Sequence, residues 1–174
     1  MELTVEITDF CTEGCDYCST NAHEEGTFLD VNTIYNFVRR ACAEHKVERI
    51  NISGGEPVAH PDFYNILQFC KGFCKNTWVY TNTIEQLMYN TGVIKEVKVE
   101  ANVCLTPGRH VYIPKNVNKA HLLQLVSQGR ASSMTPVTFH VSGNINGCNR
   151  CKECNHQLLQ ADGEVVEAPC KKDY

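Results

Sequence analysis

Three closely spaced cysteines, Cys11, Cys15 and Cys18, follow directly on an alternating segment at the start of the chain. Leu3, Val5 and Ile7 fall on one face of that segment and Thr4, Glu6 and Thr8 on the other. This is the two-residue period of a half-buried strand. The run Phe10-Cys11-Thr12-Glu13-Gly14-Cys15-Asp16-Tyr17-Cys18 is therefore a loop leaving a strand, with C-x3-C-x2-C spacing. Three thiolates on one short loop can hold three irons of a cubane 4Fe–4S cluster and leave the fourth iron without a protein ligand. An open iron is where a substrate or cosubstrate binds, so the spacing points to chemistry rather than to electron transfer alone. Zinc is the competing occupant of such a group of thiols.

Beyond the loop, helical and strand periods alternate. Asp30 can cap a helix whose apolar stripe is Val31, Ile34, Phe37, Val38, Ala41 and Cys42. Arg49–Ser53 reads as a strand running into Gly54-Gly55-Glu56-Pro57. Pro61 suits a first helical turn, with Phe63, Ile66, Leu67 and Cys70 as the buried stripe behind it. Trp78–Asn82 is expected as a third strand, Glu85–Tyr89 as a short helix and Val97–Cys104 as a fourth strand. A helix is expected over Asn118–Gln128 and a fifth strand over Val137–Val141. Such a βα series predicts an α/β fold with a parallel sheet covered by helices. Five strands are too few for a complete eight-stranded barrel, so a partial, open β/α barrel is expected over residues 1–142. After the Gly- and Asn-rich stretch Gly143–Gly147, residues 143–174 read as a small cysteine-rich extension. Its hairpin would run from Leu158–Gln160 through Ala161-Asp162-Gly163-Glu164 to Val165–Glu167.

With 174 residues, 43% hydrophobic and 21% charged, the chain can bury a single domain core. It shows neither a membrane-length apolar run nor a signal-like start, so a cytoplasmic location is expected. Eleven cysteines are many for a reducing compartment, where clustered thiols mean metal or catalysis more often than disulfides. From Ala101 to Lys152 there is no Asp or Glu, while Arg109, Lys115, Lys119, Arg130, Arg150 and Lys152 fall there. That stretch is either an ordinary solvated face or a field suited to an anionic substrate. The net charge of −4 gives no indication of nucleic-acid binding.

The order strand, C-x3-C-x2-C loop with Tyr17 before its last cysteine, helix, strand, Gly54-Gly55-Glu56-Pro57 resembles the radical S-adenosylmethionine (radical SAM) superfamily over roughly residues 3–142. The resemblance implies that Cys11, Cys15 and Cys18 bind a 4Fe–4S cluster. It also implies that the open iron is chelated by the amino and carboxylate groups of S-adenosylmethionine. Gly54, Gly55, Glu56 and Pro57 would then hold the amino group, and Tyr17 would contact the adenine. Without that context Gly54–Pro57 would be a plain strand-to-helix turn and Tyr17 a packed loop aromatic. One electron from the reduced cluster would cleave a C–S bond, giving a 5′-deoxyadenosyl radical that removes a hydrogen atom from a substrate. An electron donor such as flavodoxin or ferredoxin is implied as a partner.

Strand parity places Glu6, Thr8, Asn51, Ser53, Asn82, Glu100, Asn102 and His140 on the side away from the helices. Asn82, Glu100 and Asn102 are candidates for ribose, carboxylate or substrate contacts, with structural hydrogen bonds as the alternative. His140 is a candidate proton-transfer group, and Cys104, ending the fourth strand on that side, a candidate thiol. Cys42 and Cys70 read as core residues. Cys148, Cys151, Cys154 and Cys170 form a C-x2-C-x2-C-x15-C group. It is similar to the truncated auxiliary-cluster extensions of radical SAM enzymes, which implies a second 4Fe–4S cluster; zinc with four thiolates competes. Three functions remain open: radical chemistry on a peptide, nucleoside or small anionic substrate, activation of a glycyl-radical enzyme, or a zinc-binding module.

Overall fold

The computed structural model describes residues 1–83, 100–105, 119–124, 130, 133 and 155–167. Strand β1 (Glu2–Glu6) leads through the cysteine loop to helix α1 (Val31–Glu44) and strand β2 (Arg49–Ser53). A single 3-10 turn (Pro57–Ala59) then precedes helix α2 (Phe63–Phe73) and strand β3 (Thr77–Val79). Further along lie β4 (Glu100–Leu105), β5 (Lys119–Gln124), β6 (His156–Leu159) and β7 (Val165–Glu167). The main sheet has the order β3-β2-β1-β6-β7, and β4 and β5 form a separate parallel pair. β1 pairs in parallel with both β2 and β6, and β2 with β3, while β6 and β7 are antiparallel. Among the described residues this mixed sheet with flanking helices is not closed, as a partial, open β/α barrel requires.

Each helix forms where the sequence supplies both a stripe and a stop. The Asp30 side chain accepts the Thr33 N–H at 3.0 Å and so satisfies one of the first-turn donors of α1. Ile34, Phe37, Val38 and Ala41 recur at helical spacing and are buried. The helix ends where His45 turns extended while its N–H still reaches the Ala41 carbonyl at 2.9 Å. In α2 the buried stripe is Phe63, Ile66, Leu67 and Cys70. Both stripes pack on Leu3, Val5 and Ile7 of the first strand segment and on Ile50 and Ile52 of β2, all fully buried. Each such side chain contributes about 1.5–3 kcal/mol through burial. Cys70 and Cys74 belong to this core, and Cys42 packs partly buried against it.

The hairpin forms over the expected residues. Gly163 takes φ +88° at its turn and Asp162 Oδ1 accepts the Glu164 N–H at 2.9 Å. The hairpin is joined to the main sheet: β6 lies beside β1 with Glu2 opposite His156 and Val5 opposite Leu159, and Leu159 completes the core. The helix expected over Asn118–Gln128 is corrected. Lys119–Gln124 is strand β5, in register with β4 from Glu100↔Lys119 to Leu105↔Gln124. Ala, Leu and Gln favour helix locally, but pairing along a neighbouring strand supplies backbone partners that local propensity does not anticipate. The expected elements at Glu85–Tyr89 and Val137–Val141 lie outside the described residues, as does Gly143–Gly147. Among the described residues no helix is long and apolar enough to cross a membrane.

Candidate active site

The cysteine loop starts where β1 ends and is fastened back onto that end. Asp9 and Cys11 trade backbone bonds with His23: the His23 N–H reaches Asp9 O and the Cys11 N–H reaches His23 O, both at 3.0 Å. Thr8, fully buried, donates its hydroxyl to Thr27 O at 2.6 Å and accepts the Phe10 N–H at 2.9 Å. Its hydroxyl thus organises the loop instead of lining a cavity. Asp9 Oδ1 accepts both the N–H and the hydroxyl of Thr27. Between these anchors the chain turns through left-handed backbone at Gly14 (φ +59°) and Asn21 (φ +57°). Asn is one of the few side-chain-bearing residues that tolerates that region.

The Gly54-Gly55-Glu56-Pro57 turn, leaving the end of the neighbouring strand β2, docks on the same ground. Gly55 N–H donates to Thr8 O at 2.7 Å and Glu56 N–H to Phe10 O at 2.8 Å. A Cβ on Gly54 would stand 2.3 Å from Thr8 O, and one on Gly55 2.3 Å from Phe10 O. Only glycine allows both approaches. Glu56 is 7% exposed, and its carboxylate is fixed from three sides. Oε1 accepts the Val58 N–H at 3.1 Å and the Thr81 hydroxyl at 2.6 Å, and Oε2 accepts the Asn82 N–H at 3.0 Å. The end of β3 is thereby tied to the turn after β2. A carboxylate has about four lone-pair sites, so Oε2 retains acceptor capacity.

Cys11 is buried, and Cys15 and Cys18 are half-buried. All three are free thiols. Burial pushes the Cys11 thiol up; the Glu13 backbone N–H works against this, while the charges of Glu56, Cys15 and Cys18 add to it. Burial would raise Cys18 too, but the Thr20 hydroxyl, the Ala22 and Thr20 N–H groups and the Arg130 charge outweigh it and hold that thiol below its ordinary value. Among the described residues no three His, Cys, Asp or Glu side chains close around a single metal ion.

Residues 5–108 match the radical SAM superfamily. The chain belongs to the radical SAM superfamily. The chain is also 34% identical over 67 residues to a probable GTP 3′,8-cyclase of Methanocella arvoryzae, covering 38% of this chain and 22% of that one. It is 30% identical over 100 residues to the GTP 3′,8-cyclase of Pasteurella multocida, covering 55% and 27%. A third similarity, 28% over 102 residues, is to the PqqA peptide cyclase of Gluconobacter oxydans, covering 58% and 26%. The chain spans about a quarter of the length of these curated relatives.

Within this radical SAM domain the other candidates fall out unevenly. Tyr17 is half-buried between Cys15 and Cys18. Asn82 meets Glu56 through its backbone N–H, and its side chain is exposed. Glu100 is half-buried at the start of β4, the strand that also carries Asn102 and Cys104. His140, Cys148, Cys151, Cys154 and Cys170 lie outside the described residues.

On the sheet face away from the helices, Asn51 Nδ2 donates to Thr4 Oγ1 at 3.3 Å, and Thr4 Oγ1 meets His156 Nε2 at 2.7 Å. This polar row crosses β2, β1 and β6. At its upper end burial pushes the Glu6 carboxyl up; the Ala161 backbone N–H opposes this and the Asp162 charge adds to it.

Two residues escaped the sequence reading. His60 is buried, with Nδ1 accepting the Asp62 N–H and Nε2 near Leu29 O at 3.0 Å, which places the ring proton on Nε2. Arg130 reaches the cysteine loop itself. Its Nε donates to Cys15 O at 2.9 Å, Nη1 to Ala22 O at 2.6 Å and its backbone N–H to Cys18 O at 3.0 Å. A contact spanning more than a hundred residues leaves no local pattern to find; only the charge bias of the surrounding stretch hinted at it.

Proposed function

We propose that the chain is a radical SAM enzyme in which Cys11, Cys15 and Cys18 hold a 4Fe–4S cluster and the Gly54–Pro57 turn holds S-adenosylmethionine against it. The observation that carries this is the double close approach of Gly54 to Thr8 and of Gly55 to Phe10, which sets that turn against the base of the cysteine loop. The donor set fits the cluster: three free thiols on one short loop. A cubane takes one thiolate per iron, so its thiolates stand wider apart than the ligands of one ion. When bound, the cluster supplies one electron to the sulfonium of S-adenosylmethionine, giving methionine and a 5′-deoxyadenosyl radical that takes a hydrogen atom from the substrate.

The chain's own residues bind and orient. The free acceptor site on Glu56 Oε2 and the Gly54–Pro57 backbone would take the ammonium of S-adenosylmethionine, and Tyr17 its adenine. Thr81, Asn82 and Val58 hold the Glu56 carboxylate in one orientation. Asn82, Glu100 and Asn102 would serve the ribose or the substrate, Cys104 would be a reactive thiol, and His140 a proton carrier. By their names, the relatives act on GTP and on a peptide. The acid-free stretch 101–152 favours an anionic substrate of the nucleotide kind here.

A second 4Fe–4S centre on Cys148, Cys151, Cys154 and Cys170 is part of the proposal. Cys154 immediately precedes Asn155, whose carbonyl accepts the Glu2 N–H at 3.1 Å, and Cys170 follows three residues after β7. Gln157 pairs with Glu167, so the two ends of the hairpin leave the sheet side by side. They leave beside the start of β1, whereas the Cys11–Cys18 loop leaves from its end. Anaerobic reconstitution followed by metal analysis is expected to give about eight irons and eight sulfides per chain. About four irons with one zinc would replace the second cluster by a structural zinc site.

A further inference from the structure

We propose that Arg130 is a positioning residue for the cysteine loop, clamping its backbone and placing a permanent positive charge beside its thiolates. The inference rests on the loop being the cluster site. Three of the loop's carbonyls, those of Cys15, Cys18 and Ala22, converge on this one residue at 2.9, 3.0 and 2.6 Å. The Cys15 carbonyl already accepts the Cys18 N–H at 3.2 Å, so Arg130 Nε completes its second lone pair. The Ala22 carbonyl follows directly on Asn21, which takes left-handed backbone (φ +57°) where the chain returns from the loop. The clamp therefore acts on both arms of the loop, one on each side of Cys18.

The guanidinium suits this task for two reasons. Its Nε and Nη1 donors lie in one rigid plane and reach two carbonyls at once, which the single ammonium of lysine cannot reproduce. It also carries a positive charge, and a cation near a thiolate-bound cluster favours the reduced, more negative state. Shape and charge are separable by substitution. Arg130→Lys keeps the charge and loses the fork; Arg130→Gln loses both.

The test has two arms. In the metal-free protein, hydrogen exchange is followed at the Cys11, Cys18 and His23 amides, with α1 and α2 amides as the control for folding. Arg130→Gln and Arg130→Lys are both expected to speed exchange at the loop amides and leave the helices unchanged. In the reconstituted protein, chelator is expected to strip iron about tenfold faster from Arg130→Gln than from wild type. The cluster's midpoint potential should fall in Arg130→Gln and stay near the wild-type value in Arg130→Lys. Unchanged loop exchange together with an unchanged potential in Arg130→Gln would overturn the proposal. A wild type that assembles no cluster, while Arg130→Gln still loosens the loop, would remove the cluster assignment and support the clamp.

Discussion

A Gly55→Ala variant is expected to lose about 3 kcal/mol of stability, a large fraction of what a domain of this size has in reserve. The added Cβ would stand 2.3 Å from Phe10 O, 2.7 Å from Phe10 C and 2.9 Å from the Ala22 Cβ. Two of these neighbours are backbone atoms of the chain leading into the cysteine loop, so no rotamer change relieves the contact. Relief requires the two turns to part, which breaks Gly55 N–H to Thr8 O and Glu56 N–H to Phe10 O. Gly72, in the last turn of α2, supplies the opposite case. Nothing lies within 4 Å of a Cβ built there, so Gly72→Ala should stabilise by up to about 0.5 kcal/mol, the lower end of the mid-helix value because the position lies in the last turn. Urea unfolding checks both: with a slope of about 1–3 kcal/mol per molar, Gly55→Ala should lower the midpoint by about 1 M or more. A Gly55→Ala midpoint equal to the wild type's would mean that the two turns are not packed as described.

Glu56→Gln is expected to weaken both the fold and the binding of S-adenosylmethionine. Among the described residues every polar contact of the carboxylate comes from a donor: the Val58 N–H, the Thr81 hydroxyl and the Asn82 N–H. An amide in that place must turn its NH2 toward at least one of them. Losing the charge and leaving a donor unpaired at a nearly buried site costs about 2–4 kcal/mol. Thr81→Ala removes one donor and should cost about 1 kcal/mol. The two changes share a partner, so their effects should fall short of additive in a double-mutant cycle. Affinity for S-adenosylmethionine, measured by calorimetry on the reconstituted protein, should drop at least about tenfold in Glu56→Gln. Unchanged affinity with lowered stability would confine Glu56 to a structural role.

The parts of the molecule that the sequence discloses are those set by local physics. The alternation at Leu3, Val5 and Ile7, the Asp30 cap with its helical stripe, and the Asp162-Gly163 turn each depend on residues a few positions apart. The C-x3-C-x2-C spacing and Gly54–Pro57 are legible as motifs, and the placement of both at one end of the sheet follows from parallel βαβ connection. The parts that were not legible depend on distant partners. Lys119–Gln124 carries a helical composition, and only its pairing with β4 makes it a strand. Nothing near His156–Leu159 announces that this short segment will lie beside β1 and bury Leu159. Thr8 reads as a polar residue on the open side of a strand, yet the return of Thr27 across it leaves it fully buried. Arg130 was one cation among six in an acid-free stretch, and only the folded chain brings it to Cys15, Cys18 and Ala22.

Together the Cys11–Cys18 loop and the Gly54–Pro57 turn are expected to generate 5′-deoxyadenosyl radicals. Anaerobically reconstituted protein is incubated with S-adenosylmethionine and dithionite, and 5′-deoxyadenosine is quantified by liquid chromatography and mass spectrometry. Wild type is expected to form it, and Cys15→Ala, with one of the three thiolates gone, is expected to form none. A fully iron-loaded wild type that yields no 5′-deoxyadenosine with dithionite or with a flavodoxin reducing system would contradict the account.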